Sequence, residues 1–178
     1  MGLEHWLLEQ AELDPDAVDK ILLRILSRSD SVTLTAVVAS VCTAYPRIAG
    51  EALLVLLRSR DAILLDRVRL VHESHRPSNL AGMLPQFNAF NKIYESERKQ
   101  SDERPHRKYD LEGAIINLQL GPHRTQVHNT LDELRNQLTP HEQQSEEDRA
   151  WRLALHRMDL REYSPVGGDD GDKGMEGQ

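Results

Sequence analysis

Apolar residues recur along this chain at the spacing expected of amphipathic helices. The clearest stripe has five members at positions i, i+3, i+4, i+7 and i+8, namely Val18, Ile21, Leu22, Ile25 and Leu26. Just before it stands Asp14-Pro15-Asp16. Aspartate is a preferred N-cap residue, proline suits the first helical position, and an acid there interacts favourably with the helix dipole. The pattern therefore predicts a helix that begins at Pro15.

Comparable patterns predict helices over most of the remaining chain. We expect them at 4–12, 48–59, 60–74, 86–103, 111–120, around 127–138, and from Ser145 onward with Trp151, Leu155 and Met158 on the buried side. Within 60–74 the inner face is predicted to carry Leu64, Val68 and Val71. The stretch 32–42 is ambiguous, because its β-branched residues favour a strand. Its length, its small residues and the preceding capping cluster favour a buried helix.

These elements predict an all-α fold of antiparallel helix pairs. Two architectures remain open: an α-solenoid-like array of the HEAT or tetratricopeptide kind, and an irregular helical bundle. No fixed-period repeat decides between them. We expect a single helical domain over residues 1–163, with an exposed, charge-rich linker at 95–110. Residues 164–178 are rich in Gly and Asp and have no apolar face, which predicts a disordered acidic tail.

Charge and cysteine content exclude several classes of protein. The chain has 22 Lys and Arg against 29 Asp and Glu, a formal net charge of -7, which argues against a nucleic-acid binder along its whole length. The single cysteine, Cys42, excludes an internal disulfide framework and a Cys-based zinc cage, and its apolar surroundings indicate packing. With no secretory signal and no apolar run long enough for a membrane span, we expect a cytoplasmic protein.

One short motif raises the alternative of a small metal-dependent hydrolase or nuclease. In Val71-His72-Glu73-Ser74-His75-Arg76 the two histidines are three residues apart. The zincin motif needs a spacing of four, which places both imidazoles on one helix face around the metal. The candidate metal ligands are His72, Glu73 and His75, with His106 as a further candidate. Solvent-facing histidines at a helix end are the simpler interpretation, so we predict no metal and no cofactor.

Basic residues form two candidate sites of contact with a partner. The cluster Arg104, His106, Arg107 and Lys108 is diluted by neighbouring acids and is typical of a solvated linker. The last helix has a basic face, and the predicted interaction surface consists of Trp151, Arg152, His156, Arg157 and Arg161. A plain solvated face is the leading interpretation of this helix and a protein interface comes close behind it, with a nucleic-acid accessory role as an alternative. For the chain as a whole we expect a protein partner.

Two sequence blocks carry a resemblance to a known family. The first is SDSVTLTAVVASV at 29–41 with AYP at 44–46 and AGEA at 49–52, and the second is WRLALHRMDLR at 151–161. Both resemble helical stretches of very large bacterial ATP-binding proteins of the STAND class, which include antiviral sensors. In these an effector and an NTPase are joined to a long helical array. This chain has no P-loop motif, so no nucleotide-binding or catalytic residue is carried over.

The resemblance implies that this chain is a helical segment of that kind, without an NTPase domain of its own. It would be a detached segment, a truncated product of a split gene, or a stand-alone homologue. We therefore expect a non-enzymatic helical scaffold, sensor or protein-interaction module, with a large ATPase or another defence protein as partner. Such a module should expose an apolar groove or patch where further helices would stack.

Overall fold

The computed structural model describes residues 2–74 and 105–163 of the 178-residue chain. These residues form helices and connecting segments, with no strand among them. The α-helices are α1 (Leu3–Leu13), α2 (Pro15–Arg28), α3 (Val32–Ala44), α4 (Gly50–Leu57), α5 (Arg60–Ser74), α6 (Leu111–Leu118), α7 (Arg124–Asn136) and α8 (Glu146–Arg157). Short 3-10 helices occupy Pro105–Lys108, His141–Gln143 and Leu160–Glu162. The predicted all-α fold is confirmed.

Local capping explains why several helices begin where the sequence predicted. The Asp14 carboxylate accepts a hydrogen bond from the Ala17 backbone N–H at 3.2 Å, at the start of α2. At α8, Ser145 and Asp148 form a capping box in which each side chain accepts from the other residue's backbone N–H. Each bond satisfies an N–H that has no partner within its helix.

The ambiguous stretch 32–42 lies within a helix, as its length and small residues indicated. Val38, Val41 and Cys42 of α3 are fully buried. Contacts of α3 reach α1, α2, α4, α5 and α6. Tertiary burial on several sides therefore outweighs the strand preference of its β-branched residues.

All eight α-helices contribute side chains to one hydrophobic core. Besides the contacts of α3, α4 packs against α2, α5, α6 and α7, and α5 packs against α8. In a linear array each repeat contacts only its neighbours, so this packing is closer to an irregular bundle. At the closest approach between α4 and the start of α7, a Cβ on Gly50 would overlap the imidazole of His123.

Two details of the predicted helices are wrong. Helix α4 spans Gly50–Leu57 rather than 48–59. In α5 the buried residue is Ile63, whereas Val68 is 51% exposed. Because α5 packs against several elements at different points along its length, a single period of the apolar pattern does not identify its inward face. The helix predicted at 86–103 lies outside the described residues.

The described end of the predicted linker is part of the packed domain, contrary to expectation. The 3-10 helix Pro105–Lys108 contacts α3 and α5. Asp110 is buried, where its carboxylate accepts from the Gly113 backbone N–H at 2.9 Å and from Arg67 Nη1 at 2.7 Å. Burial of Asp110 is tolerated because the charge is both paired and hydrogen-bonded. Residues 95–104 and the predicted tail at 164–178 lie outside the described residues.

Within the described ranges, no helix is both long enough and apolar enough to span a membrane.

Candidate functional site

A concave surface of about 440 Å³ lies between α3 and α5, and we call it the α3–α5 groove. Its lining from α3 is made of small or β-branched side chains, including Val32, Ala36 and Val37, and its lining from α5 includes Ala62 and Leu65. Val32 is 75% exposed and Leu65 is 60% exposed. A surface with large, accessible apolar side chains beside small residues is suited to binding another apolar helix or segment.

Charged residues surround one end of the α3–α5 groove. Glu4 of α1 accepts a hydrogen bond from the Ser40 hydroxyl at 2.5 Å. The guanidinium of Arg107 lies 3.9 Å from Glu4 Oε2 and 3.8 Å from Glu73 Oε1. Arg107 thereby joins α1 and the C-terminal part of α5 at the groove's charged end.

Arg69 holds the same end together by bonding three separate groups. It donates to Asp66 at 2.8 Å, to Glu73 at 2.7 Å and to the Tyr109 carbonyl oxygen at 2.7 Å. Burial by itself lowers the pKa of Arg69, but the bonds and charges of Asp66 and Glu73 outweigh that effect and raise the pKa. Each of these acids and bases has a partner of opposite charge among them, so the groove's recognition surface is mainly its apolar part.

Those residues of the metal hypothesis that the structure describes do not form a ligand set. His72 is exposed near the end of α5, while Glu73 is engaged by Arg69. His75 lies outside the described residues, and nothing is described for the side chain of His106. In residues 2–74 and 105–163, no group of three or more His, Cys, Asp or Glu is placed to hold a metal ion. The metal alternative stays a prediction.

Cys42 is a core residue of α3. Its thiol is fully buried. Burial raises the pKa of Cys42, and the charge of Asp19 raises it further, so the reactive thiolate is disfavoured. This environment agrees with the packing role inferred from the sequence.

The five residues of the predicted interaction surface on the last helix have different surroundings. Trp151 is buried in the core, and Arg152 and His156 are exposed. Arg157 forms a bidentate pair with buried Glu112, at 2.7 and 2.5 Å. Arg161, in the 3-10 helix beyond α8, donates to acids of the same chain. The predicted surface is thus partly core and partly internal ion pairs, and whether its exposed part binds a partner stays a prediction.

The sequence predicted an apolar groove without locating it. Ala36 and Leu65 are unremarkable individually and lie 29 positions apart in the chain. The exposed apolar residues of α3 and α5 become one surface only when the two helices pack side by side. The available signal was the run of small residues in 32–43, which permits another element to approach closely.

Comparison with known proteins found no family model and no curated protein that matches this chain.

Proposed function

We propose that this chain is a helical protein-interaction module, without enzymatic activity of its own, that binds a helix of a partner protein in the α3–α5 groove. The observation that carries the proposal is the exposure of Val32 and Leu65 on the two sides of one apolar groove. An amphipathic helix laid into an apolar groove is a common mode of recognition.

The groove's length and its small lining residues suit one face of a helix. The 13-residue α3 gives it a length of about 20 Å, which accommodates three to four turns of a second helix. Ala36 and Ala62 allow the backbone of a partner helix to come close. Each fully buried Val or Leu side chain would add about 1.5–3 kcal/mol of hydrophobic free energy.

The resemblance to STAND-class proteins supplies the first partner class to test. Their long helical arrays would present helices for this kind of packing. The proposed partner is therefore a large helical ATPase or defence protein, and the proposed role of this chain is that of a scaffold or sensor acting in trans.

The proposal predicts that filling the groove prevents partner capture. A photo-cross-linking residue at position 65 should form covalent links to one partner protein, within an amphipathic helical segment. The Ala36→Arg change places a long charged side chain in the groove at an exposed helix position. We expect it to reduce cross-linking at least about tenfold, since the added side chain would keep at least one apolar side chain of the partner, worth about 1.5–3 kcal/mol, out of the groove. Mass spectrometry of the linked peptides measures both results.

Leu13→Arg is the matched control, because Leu13 is an exposed apolar residue that does not line the groove. It should leave cross-linking unchanged, and both variants should keep the native circular dichroism spectrum. Equal cross-linking in Ala36→Arg and the native chain would contradict the proposal. Links from position 65 to residues 75–104 of the same chain would also contradict it, because the groove would then be filled internally.

A further inference from the structure

A second concave surface, of about 650 Å³, lies where α7 and α8 meet. We call it the α7–α8 cleft. The 3-10 helix His141–Gln143 contributes to its wall, and its lining is rich in cationic side chains. None of the residues that line it lines the α3–α5 groove. Any ligand of the cleft is therefore recognised separately from a helix in the groove.

The arginines of the α7–α8 cleft differ in their partners. Arg135 is already paired, with Asp159 at 2.7 Å and Glu162 at 3.1 Å. Arg149 and Arg152 have no carboxylate partner within the described part of the chain. They are three positions apart on α8, so they lie on the same helix face. The cleft thus presents two guanidinium groups whose charge is not neutralised by the described residues.

Arg152 is held in place without losing its ability to bind an anion. Its Nη2 donates to the Thr139 carbonyl oxygen at 3.3 Å, and that oxygen also accepts from Gln144 Nε2 at 2.7 Å. These bonds tie α8 to the segment that precedes it. The guanidinium has five N–H donors, so one bond to Thr139 leaves donors for a bidentate carboxylate.

Apolar side chains lie beside these two arginines. Leu138 and Leu153 both line the cleft, and Leu153 is 52% exposed. We propose that the α7–α8 cleft binds an acidic segment of a partner protein, with carboxylates on Arg149 and Arg152 and an apolar side chain on Leu153. In a peptide, carboxylates and an apolar side chain can stand on neighbouring residues, so one short segment can reach both the arginines and Leu153.

Two features favour an acidic peptide over a nucleic acid. Glu162 lines the same cleft and would repel the regularly spaced phosphates of a nucleic acid, whereas a peptide can place its few carboxylates at Arg149 and Arg152 and a neutral residue beside Glu162. The chain's net charge of -7 also opposes the long-range attraction of a polyanion. A short peptide segment contacts the local positive charge and the leucines without extending over the acidic surface beyond them.

The test uses the full chain and three fluorescein-labelled probes. These are a 12-residue peptide with three glutamates around one leucine, the same peptide with glutamine at those three positions, and a 12-nucleotide single-stranded DNA. Fluorescence anisotropy at 0.15 M salt should show the glutamate peptide binding at least about tenfold more tightly than the glutamine peptide, because charged hydrogen bonds are lost. Tighter binding of the DNA, or equal binding of the two peptides, would overturn the proposal.

Charge-reversal variants locate the binding. Arg149→Glu with Arg152→Glu should weaken binding of the glutamate peptide at least about tenfold. Arg24→Glu with Arg28→Glu, an equal charge change on the exposed side of α2, should leave it unchanged. An equal loss in both double variants would indicate a non-specific charge effect and overturn the proposal.

The chain's own acidic C-terminal segment is the competing occupant, since residue 164 follows directly on the end of the described part. Changing Asp169, Asp170 and Asp172 to Asn in the full chain distinguishes the two. Under our proposal the glutamate peptide binds the native chain as tightly as it binds this variant. Binding that appears only in the variant would assign the cleft to the chain's own C-terminal segment and overturn the proposal.

Discussion

Asp159 is the most completely buried charged residue in the described part of the chain. It lies two residues beyond α8, and its carboxylate is bonded by Arg135 at 2.7 Å and by Arg161 at 2.9 and 2.8 Å. Arg161 in turn donates to Asp132 at 3.0 and 2.6 Å. A buried carboxylate is tolerated only with such pairing, so these arginines are structural at the C-terminal end of the domain.

This cluster predicts that stability decreases in acid. Burial by itself raises the pKa of Asp159, but Arg161 and Arg135 outweigh it and lower the pKa from the ordinary 3.8 to about 2. Since the folded state favours the charged form, the stabilisation is present above about pH 4 and is lost as the pH falls through about 2. Urea unfolding at a series of pH values should show the free energy of unfolding decreasing over this range.

Asp159→Asn should be less stable than the native chain at pH 7 and should lose that part of the pH dependence. Asp30→Asn is the control, since Asp30 is exposed in the loop between α2 and α3. If Asp159→Asn and the native chain lost stability equally between pH 4 and pH 2, the role given to Asp159 would be wrong.

Some helices are capped by residues of a different helix. The N-cap residue of α4, Ala49, has no side-chain group that could accept a capping hydrogen bond. Instead the Asp19 carboxylate of α2 accepts from the backbone N–H groups of Glu51 at 3.1 Å and Ala52 at 2.9 Å. Asp66 of α5 similarly accepts from the Leu111 N–H, at 2.7 Å, at the start of α6. These bonds fix one helix against another and satisfy backbone donors at the same time.

Removal of the Asp19 cap should destabilise the domain. Asp19→Ala leaves two N–H groups of α4 without their acceptor, so we expect a loss of about 1–2 kcal/mol in the free energy of unfolding. Asp19→Asn should lose less, because an amide oxygen still accepts one of the bonds. Chemical denaturation at pH 7 measures both, with Asp30→Ala as the control. A loss for Asp19→Ala no larger than that of the control would show that the cap adds no stability.

Residues 2–74 and 105–163 share one hydrophobic core, and polar bridges also fix elements within residues 105–163 against each other. Between α6 and α8, Glu112 and Arg157 form their bidentate pair. Buried Gln119 donates to the Met158 carbonyl oxygen at 2.6 Å and accepts from the Leu160 backbone N–H at 3.0 Å. These contacts fix the turn that follows α8, where Asp159 and the 3-10 helix begin.

The Glu112–Arg157 pair predicts non-additive mutational effects. Glu112→Leu leaves Arg157 without its bidentate partner and should cost about 2 kcal/mol, less than for a fully buried pair because Arg157 is partly exposed. Arg157→Met should have a similar effect. The double variant should lose clearly less than the sum, because no unpaired charge remains. Denaturant unfolding of all four proteins tests this, and strictly additive losses would contradict it.

Much of the helical architecture was predictable from local patterns. The start of α2 at Pro15 and the capping of α8 by Ser145 depend on residues within one turn of each other, so sequence reasoning found both. The inward face of α5 was not predictable in the same way. Val68 fits the apolar stripe as well as Ile63 does, and only the positions of the packed neighbours determine which of them is buried.

The candidate surfaces, too, were predictable from the sequence only in part. The sequence identified the last helix as basic, but it did not reveal that Arg157 and Arg161 are engaged by acids from α6 and α7. It predicted an apolar groove, but the position of that groove depends on α3 lying beside α5. Arg149 and Arg152 stand out only after the carboxylate partners of Arg135, the other arginine that lines the cleft, are known.

The sequence by itself determined most of the described helices, their order and the local caps of α2 and α8, because these depend on propensities and hydrogen bonds between residues close in the chain. Tertiary structure decided which face of α5 is buried, which distant charges are paired and where the two concave surfaces form. Those properties depend on side chains tens of positions apart, such as Glu112 with Arg157 or Ala36 with Leu65. Their proximity follows from the packing of whole helices, which no local pattern specifies.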